Sequence, residues 1–261
     1  MENAAREGGV FLHEHRALHY RVMLAELSTA TAALGLAAGG YSYAAMWPTS
    51  QIFGKAIVAG CDPNEFALTY DDGPNDQCTE QILDVLARHE VRATFFMIGR
   101  FVRQRGELVR RVRAAGHLVG NHTMTHPLLL LRTCASVREE LAGTNAALED
   151  ALGEAVSYFR PPHGGRRPDV LRIARELGLT PVLWNAMGYD WRPTTAETIL
   201  ANLDRGIARN RKSGHGSNLL LHDGGQADIG QDRGASVQAT ELLLRRRKTQ
   251  TKFVTVDVWN S

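Results

Sequence analysis

From Phe66 onward, short apolar runs alternate with longer stretches whose apolar positions recur every three to four residues. Runs of the first kind predict buried strands, and stretches of the second predict amphipathic helices. Phe66–Tyr70 reads as the first strand, followed by a helix over Thr79–His89 with Ile82, Leu83, Val85 and Leu86 at core spacing. Ala93–Ile98 is a fully apolar strand. Leu108–Ala115 is a basic amphipathic helix stopped by Gly116, and His117–Gly120 starts a short strand. The alternation continues with a helix over Ser136–Leu152, a strand at Tyr158–Arg160, and a helix over Pro168–Leu177 closed by Gly178. A strand at Thr180–Trp184, a helix over Thr195–Asn210 and a strand at Asn218–Leu221 follow. The last elements are a helix over Ser236–Lys248 and a strand at Phe253–Val258. Seven strands alternating with helices predict an α/β fold with a parallel sheet, most economically closed as a barrel.

The chain before Phe66 reads differently. Residues 1 to about 22 are polar and include His13, His15 and His19, a solvated leader. Leu27–Trp47 carries no charged residue. Its length suits a membrane span, with Arg16 and Arg21 on the inner flank, but Gly35, Gly39 and Gly40 weaken it as a helix. Three readings stay open for it: a membrane anchor, a helix packed on the domain, and a cleaved signal. Pro48–Pro63 is a linker or entry strand. The expected organisation is therefore a leader over 1–50 and a catalytic domain over 51–261. Anchorage or export is favoured over a cytoplasmic location.

Composition narrows the function. The 261 residues are 44% hydrophobic, enough for one full core, and the formal net charge is only +2. This balance points away from nucleic acid. Cys61, Cys78 and Cys134 are odd in number and widely spaced, matching neither a zinc pattern nor a disulfide framework. The run Arg245–Lys248 reads as a solvated helix end. The loops Arg192–Thr195 and Gln226–Gly234 carry no readable signature.

The chemistry-bearing residues fall where strands end. Asp71 and Asp72 follow the first strand, an unusual finish for an apolar run, because adjacent buried carboxylates need a compensating cation or donor. His122 and His126 follow the third strand, Arg160-Pro161-Pro162-His163-Gly164 the fourth, Asp190-Trp191 the fifth and His222-Asp223-Gly224-Gly225 the sixth. In parallel barrels this rim carries the active site. The His122/His126 spacing puts two imidazoles on one face of a helical turn, a chelating geometry. With Asp72 as third ligand, open positions remain for water and substrate, and Asp71 is free to act as general base.

Together these motifs resemble the polysaccharide deacetylase family, carbohydrate esterase family four, over about Ala67 to Val258. The family's Thr-Phe-Asp-Asp-Gly reads Thr69-Tyr70-Asp71-Asp72-Gly73, and its His-Ser/Thr-x-x-His reads His122-Thr123-Met124-Thr125-His126. Its Arg-Pro-Pro-Tyr/Phe-Gly reads Arg160-Pro161-Pro162-His163-Gly164, its Asp-Trp is Asp190-Trp191, and its final Leu-x-Leu-x-His type reads Leu219-Leu220-Leu221-His222, one residue looser. The resemblance implies a distorted, TIM-like (β/α) barrel of about seven parallel strands. It implies metal-dependent N-deacetylation of an amino-sugar polymer such as chitin or peptidoglycan, with zinc as the foremost metal and cobalt, nickel or manganese as alternatives. Carried over, Asp71 resembles the base, and Asp72, His122 and His126 the metal ligands. Arg160 resembles the group orienting the base, His222 the general acid, and Asp190 its partner. The backbone N–H of His163 resembles the oxyanion donor, and Trp191 a wall of the sugar groove. Tyr70 replaces a phenylalanine and His163 an aromatic residue; the imidazole of His163 reads as filling the aromatic's space. An acetyl-ester hydrolase acting on xylan or another small acylated substrate shares the same chemistry. A binding module without catalysis fits poorly, because no base, ligand or acid is missing.

Overall fold

The computed structural model describes residue 23, residues 27–29 and residues 31–260, so the histidines of the leader lie outside the described residues. By its contacts the chain divides into Met1–Ala44 and Ala45–Ser261. In the first unit, residues 31–44 are helical. Among the described residues no helix is long and apolar enough to cross a membrane.

The second unit is built around β1 (Glu65–Gly73), whose nine residues are all buried. It pairs in parallel with β7 (Ser217–His222) along one edge. Along the other, it pairs with β8 (Lys252–Val254) at its start and β2 (Thr94–Met97) at its end. A strand flanked on both edges and covered on both faces must be apolar along its length, and Phe66, Ala67, Leu68 and Tyr70 satisfy this. Beyond β2 the sheet continues through β3 (Leu118–Asn121), β4 (Tyr158–Phe159) and β5 (Thr180–Pro181); beyond β7 it continues to β6 (Ala186–Met187). Every pairing between these strands is parallel.

Two features differ from the sequence expectation. The stretch expected as one strand over Thr180–Trp184 provides β5 at its start and then crosses to a separate strand, β6. Val182 still donates to the Phe159 carbonyl of β4 and bridges Ile57 on its other side, where Leu183 donates to the Ile57 carbonyl. Because β5 and β6, the two ends of the sheet path, do not pair with each other among the described residues, the barrel is a curled, open one. The final strand is also shorter, giving way to a 3₁₀ turn over Val256–Trp259.

Among the described residues, six longer helices pack on the sheet, α1 (Cys78–Arg88), α2 (Gly106–Ala114), α3 (Cys134–Leu152), α4 (Pro168–Glu176), α5 (Ala196–Lys212) and α6 (Gly234–Arg247), and a single helical turn covers Gly99–Val102. Thr133 and Thr195 accept from Ser136 N and Thr198 N, satisfying orphan donors at the first turns of α3 and α5. Ile82, Leu86, Ile199, Leu203 and Leu243 join β1 and β7 in the main core. The hydroxyl that Tyr70 brings into this core is met by Thr240 Oγ1 at 2.9 Å. The three cysteines are free, and Arg245 and Arg247 at the end of α6 pair with Glu241 and Asp204.

Candidate active site

Alternation along a strand would send Asp71 and Asp72 to opposite faces. The register of β1 against β2 slips between Asp71 and Gly73, and Asp72 adopts a left-handed φ of 74°. This bulge re-aims the second carboxylate, so both acids line one cavity of about 550 Å³. Glycine is required next: a Cβ on Gly73 would lie 2.3 Å from Asp223 Oδ2. Asp223 sits wholly buried under this turn, accepting from Thr79 Oγ1, with its pKa pushed by burial up to about 7.

His122 and His126 lie on an irregular turn, not on the helical turn that their spacing suggested. Thr123 and His126 take left-handed φ of 65° and 61°, and Pro127 follows. Proline disfavours a helical residue before it. The turn is closed by Asn121 Oδ1 accepting from Thr123 N at 2.8 Å and Thr123 Oγ1 accepting from His126 N at 3.1 Å. It still brings the two rings to a centroid separation of 4.9 Å.

The proton arrangement of these rings is set from behind. His122 Nδ1 lies 2.8 Å from the Arg160 carbonyl, which only accepts, so Nδ1 carries the hydrogen. His126 Nδ1 likewise faces Gln226 Oε1 at 2.6 Å. Both Nε2 atoms then face Asp72 Oδ1, at 3.5 Å from His122 and 3.2 Å from His126. That oxygen is buried and has no hydrogen-bond partner among the described residues. Three acceptor atoms thus converge, one each from Asp72, His122 and His126, all within 4.8 Å of one another. Burial pushes the His126 imidazole down to about 3, with His122 adding to the effect, which keeps it a neutral ligand. Burial also lowers His122, but the charges of Asp71 and Asp72 outweigh it and hold its pKa above the ordinary value. A proton drawn to His122 and a divalent cation answer the same concentration of negative charge. The donor set, one carboxylate and two imidazoles, suits zinc and similar divalent ions.

Asp71 is held by Arg160, which is fully buried. The guanidinium donates from Nη1 to Asp71 Oδ1 and Thr69 Oγ1, both at 2.8 Å, and lies over the Phe96 ring at 4.2 Å. Asp71 Oδ2 remains on the side of the ligands, 3.7 Å from His122 Nε2.

Across the cavity, His222 Nδ1 donates to Asp190 Oδ1 at 2.8 Å. Asp190 Oδ2 accepts from His222 N at 2.7 Å and Ser236 Oγ at 2.6 Å. Burial alone would depress the His222 pKa, but Asp190, with Asp72 and Asp71, reverses the effect and pushes it up to about 9. Trp191 sits edge-on to His222, with ring centroids 5.6 Å apart. His163, in a left-handed conformation at φ 58°, places its ring 4.7 Å from that of His126. Asp71, Asp72, His122, His126, His163, Trp191 and His222 thus line this cavity, and Arg160 and Asp190 stand behind it, bonded to Asp71 and His222.

Sequence reasoning passed over Gln226 and Arg233. Both line the cavity, and they come from the segment 226–234 that carried no signature. Arg233 donates to the carbonyls of Gly224 at 2.6 Å and Asp190 at 3.3 Å, bracing the loop beside the acid pair. The only available signal was position, since both follow the His222-Asp223-Gly224-Gly225 strand end.

Residues 60–182 match the polysaccharide deacetylase family profile. A chitooligosaccharide deacetylase of Rhizobium leguminosarum bv. trifolii is 44% identical over 167 residues, which is 64% of this chain and 74% of the relative. The crystal structure of the Bc1960 peptidoglycan N-acetylglucosamine deacetylase superposes with a TM-score of 0.70 at 31% identity, covering 78% of this chain and 91% of that one. A mutant of BA3943 from the same structural family, described as a pseudoenzyme with restored enzymatic activity, matches with a TM-score of 0.66 at 27% identity over 76% of this chain and 68% of the other.

Proposed function

The chain belongs to the polysaccharide deacetylase family, and from that membership we propose that it is a hydrolase removing N-acetyl groups from an N-acetylglucosamine chain, chitin- or peptidoglycan-like, at a divalent metal held by Asp72, His122 and His126. The observation that carries this reading is the convergence of three buried acceptor atoms beside a separate carboxylate and a separate His–Asp pair. Residues 51–261 are the catalytic domain in this reading. Residues 45–50 are tied to it by Arg166, which donates to the carbonyls of Ala45, Trp47 and Ser50.

When bound, the metal supplies Lewis acidity toward the acetyl carbonyl and the attacking water. The remaining steps belong to side chains of this chain. Arg160 fixes Asp71 Oδ1, so Oδ2 is the oxygen that takes a proton from water as it attacks the acetyl carbon. In this reading the backbone N–H of His163 would donate to the oxygen on which charge develops. As the C–N bond breaks, His222 Nε2 delivers a proton to the departing nitrogen, giving acetate and a free amine. Asp190 holds the imidazole in the tautomer this requires and keeps it charged near neutrality. Trp191 borders the sugar.

Acetate release by the full-length protein tests the reading. The substrates are chitin oligosaccharides, peptidoglycan and acetylated xylan, each with chelator and with added zinc. Chelator-sensitive release from an amino-sugar substrate is the expected result. Release from xylan alone would move the function to ester hydrolysis.

Two further outcomes are expected. Replacing Gln226 by alanine removes the group that fixes the His126 tautomer, and metal affinity should fall by about 10–100-fold. Competition with a chromogenic chelator against apo-protein measures this directly. For the acid, the sign follows from a raised pKa: His222 is charged below about 9 and loses its proton as pH rises through that value. Asp190→Asn removes the charge that opposes burial, so the alkaline limb of kcat/KM should move to lower pH. An unmoved limb would remove His222 from the acid role.

A further inference from the structure

Among the described residues, Arg160 and Arg166 are the largest fully buried side chains. Arg160 pairs with Asp71, but no carboxylate pairs with Arg166 among the described residues. Burying a guanidinium is costly unless its donors are met. Backbone carbonyls meet them. Nη1 donates to Gly164 O at 3.0 Å and Ala45 O at 3.5 Å, and Nη2 donates to Trp47 O and Ser50 O, both at 2.7 Å. The backbone N–H of Arg166 adds a bond to Ala45 O at 3.0 Å.

These carbonyls come from two places. Three belong to the segment 45–50, where Ser50 N donates to Trp47 O at 3.0 Å and closes a turn. The fourth is that of Gly164, the residue after His163. His163 and Gly164 are both left-handed, at φ 58° and 70°. For a histidine this conformation has a cost, and it persists only where the surroundings fix it. The turn is enclosed closely: a Cβ on Gly164 would lie 3.0 Å from the Trp184 ring and 3.7 Å from the Met46 carbonyl. The segment also reaches the catalytic cavity, which Met46 and Pro48 line together with His163. One guanidinium therefore joins a wall of the cavity to the turn that carries the His163 N–H. A planar fork of five donors can serve both sides at once, whereas an ammonium concentrates its donors on one atom.

We propose that Arg166 is a positioning residue for the deacetylation: by tying residues 45–50 to the His163–Gly164 turn, it keeps the His163 N–H in place for the oxygen on which charge develops. The proposal rests on the deacetylase reading and on the donor role given there to His163, and it makes residues 45–50 part of the catalytic site. Charge on that oxygen develops in the transition state, so a displaced donor lowers kcat and spares KM.

The test measures acetate release from a chitin pentasaccharide or peptidoglycan, whichever the wild type turns over, by the full-length wild type, Arg166→Ala and Arg166→Lys. Rates are expressed per bound zinc, which removes misfolded protein from the comparison, and zinc affinity is measured by chelator competition. Loss of one oxyanion donor costs roughly 10²–10³-fold, so a displaced one should lower kcat by about tenfold or more. The expected result is that fall in both variants, with KM and zinc affinity unchanged. Wild-type kcat in either variant overturns the proposal, and so does a loss of activity that only follows lost zinc binding, which would make Arg166 a support of the fold. If neither variant folds, Pro48→Gly decides, because it loosens the same segment and leaves Arg166 in place: a fall in kcat at constant KM upholds the role, and any other result overturns it. A wild type that releases no acetate from either substrate overturns the deacetylase reading itself, and this role with it.

Discussion

Asp71→Asn should cut turnover steeply while leaving metal binding intact. The substitution is nearly isosteric, and its amide oxygen still accepts from Arg160, so the bulge and the ligand cluster keep their geometry. What is lost is the basic oxygen, Oδ2, facing the ligands. General bases contribute roughly 10²–10⁴-fold, so kcat should fall by about that factor. Because the ligand atoms of Asp72, His122 and His126 are untouched, metal content after dialysis should match the wild type. The two measurements are made on the same preparation. Full activity would remove Asp71 from the base role; loss of both activity and metal would make it a ligand instead.

His126→Ala should fail in the opposite manner, losing metal and turnover together. It deletes one of three converging donors and leaves Asp72 Oδ1 facing a single imidazole. The loss in affinity should exceed the about 10–100-fold expected for Gln226→Ala, since a ligand is removed and not only its support. Excess zinc should then restore part of the activity, a rescue that Asp71→Asn cannot show. If His126→Ala binds metal like the wild type, the site must be built on other residues. Taken with Asp71→Asn, the pair separates holding the metal from moving the proton, two tasks that adjacent residues of β1 divide in the proposed mechanism.

The pseudoenzyme among the structural relatives shows why these variants matter. Fold and family membership alone do not guarantee catalysis in this family. In this chain the residues assigned as base, ligands and acid in the proposed mechanism, Asp71, Asp72, His122, His126 and His222, all line one cavity, so activity is the direct expectation.

The alternation of strands and helices, the parallel sheet, and the strand ends on which the polar clusters sit are all legible in the local pattern of residues. The reason is local: a strand buried on both faces must be apolar throughout, and the first polar residues after it mark where it leaves the core. Phe66–Tyr70 followed by Asp71-Asp72 is legible on that ground alone. The motif resemblance then supplied roles residue by residue. Other features of the site arise from contacts that no local pattern encodes. The slip of β1 against β2, with Asp72 at a positive φ, turns two carboxylates that alternation would separate into one cavity. The two histidines meet through a turn closed by Asn121 and Thr123, not through helical periodicity. Gln226 reaches His126 across 100 positions of sequence, and Arg233 braces Asp190 across 43. The division of Thr180–Met187 between the two ends of an open sheet comes with a bridge from Val182 to Ile57, 125 positions earlier in the chain. Each of these is a long-range pairing, and its energy depends on a partner whose position the local sequence does not specify.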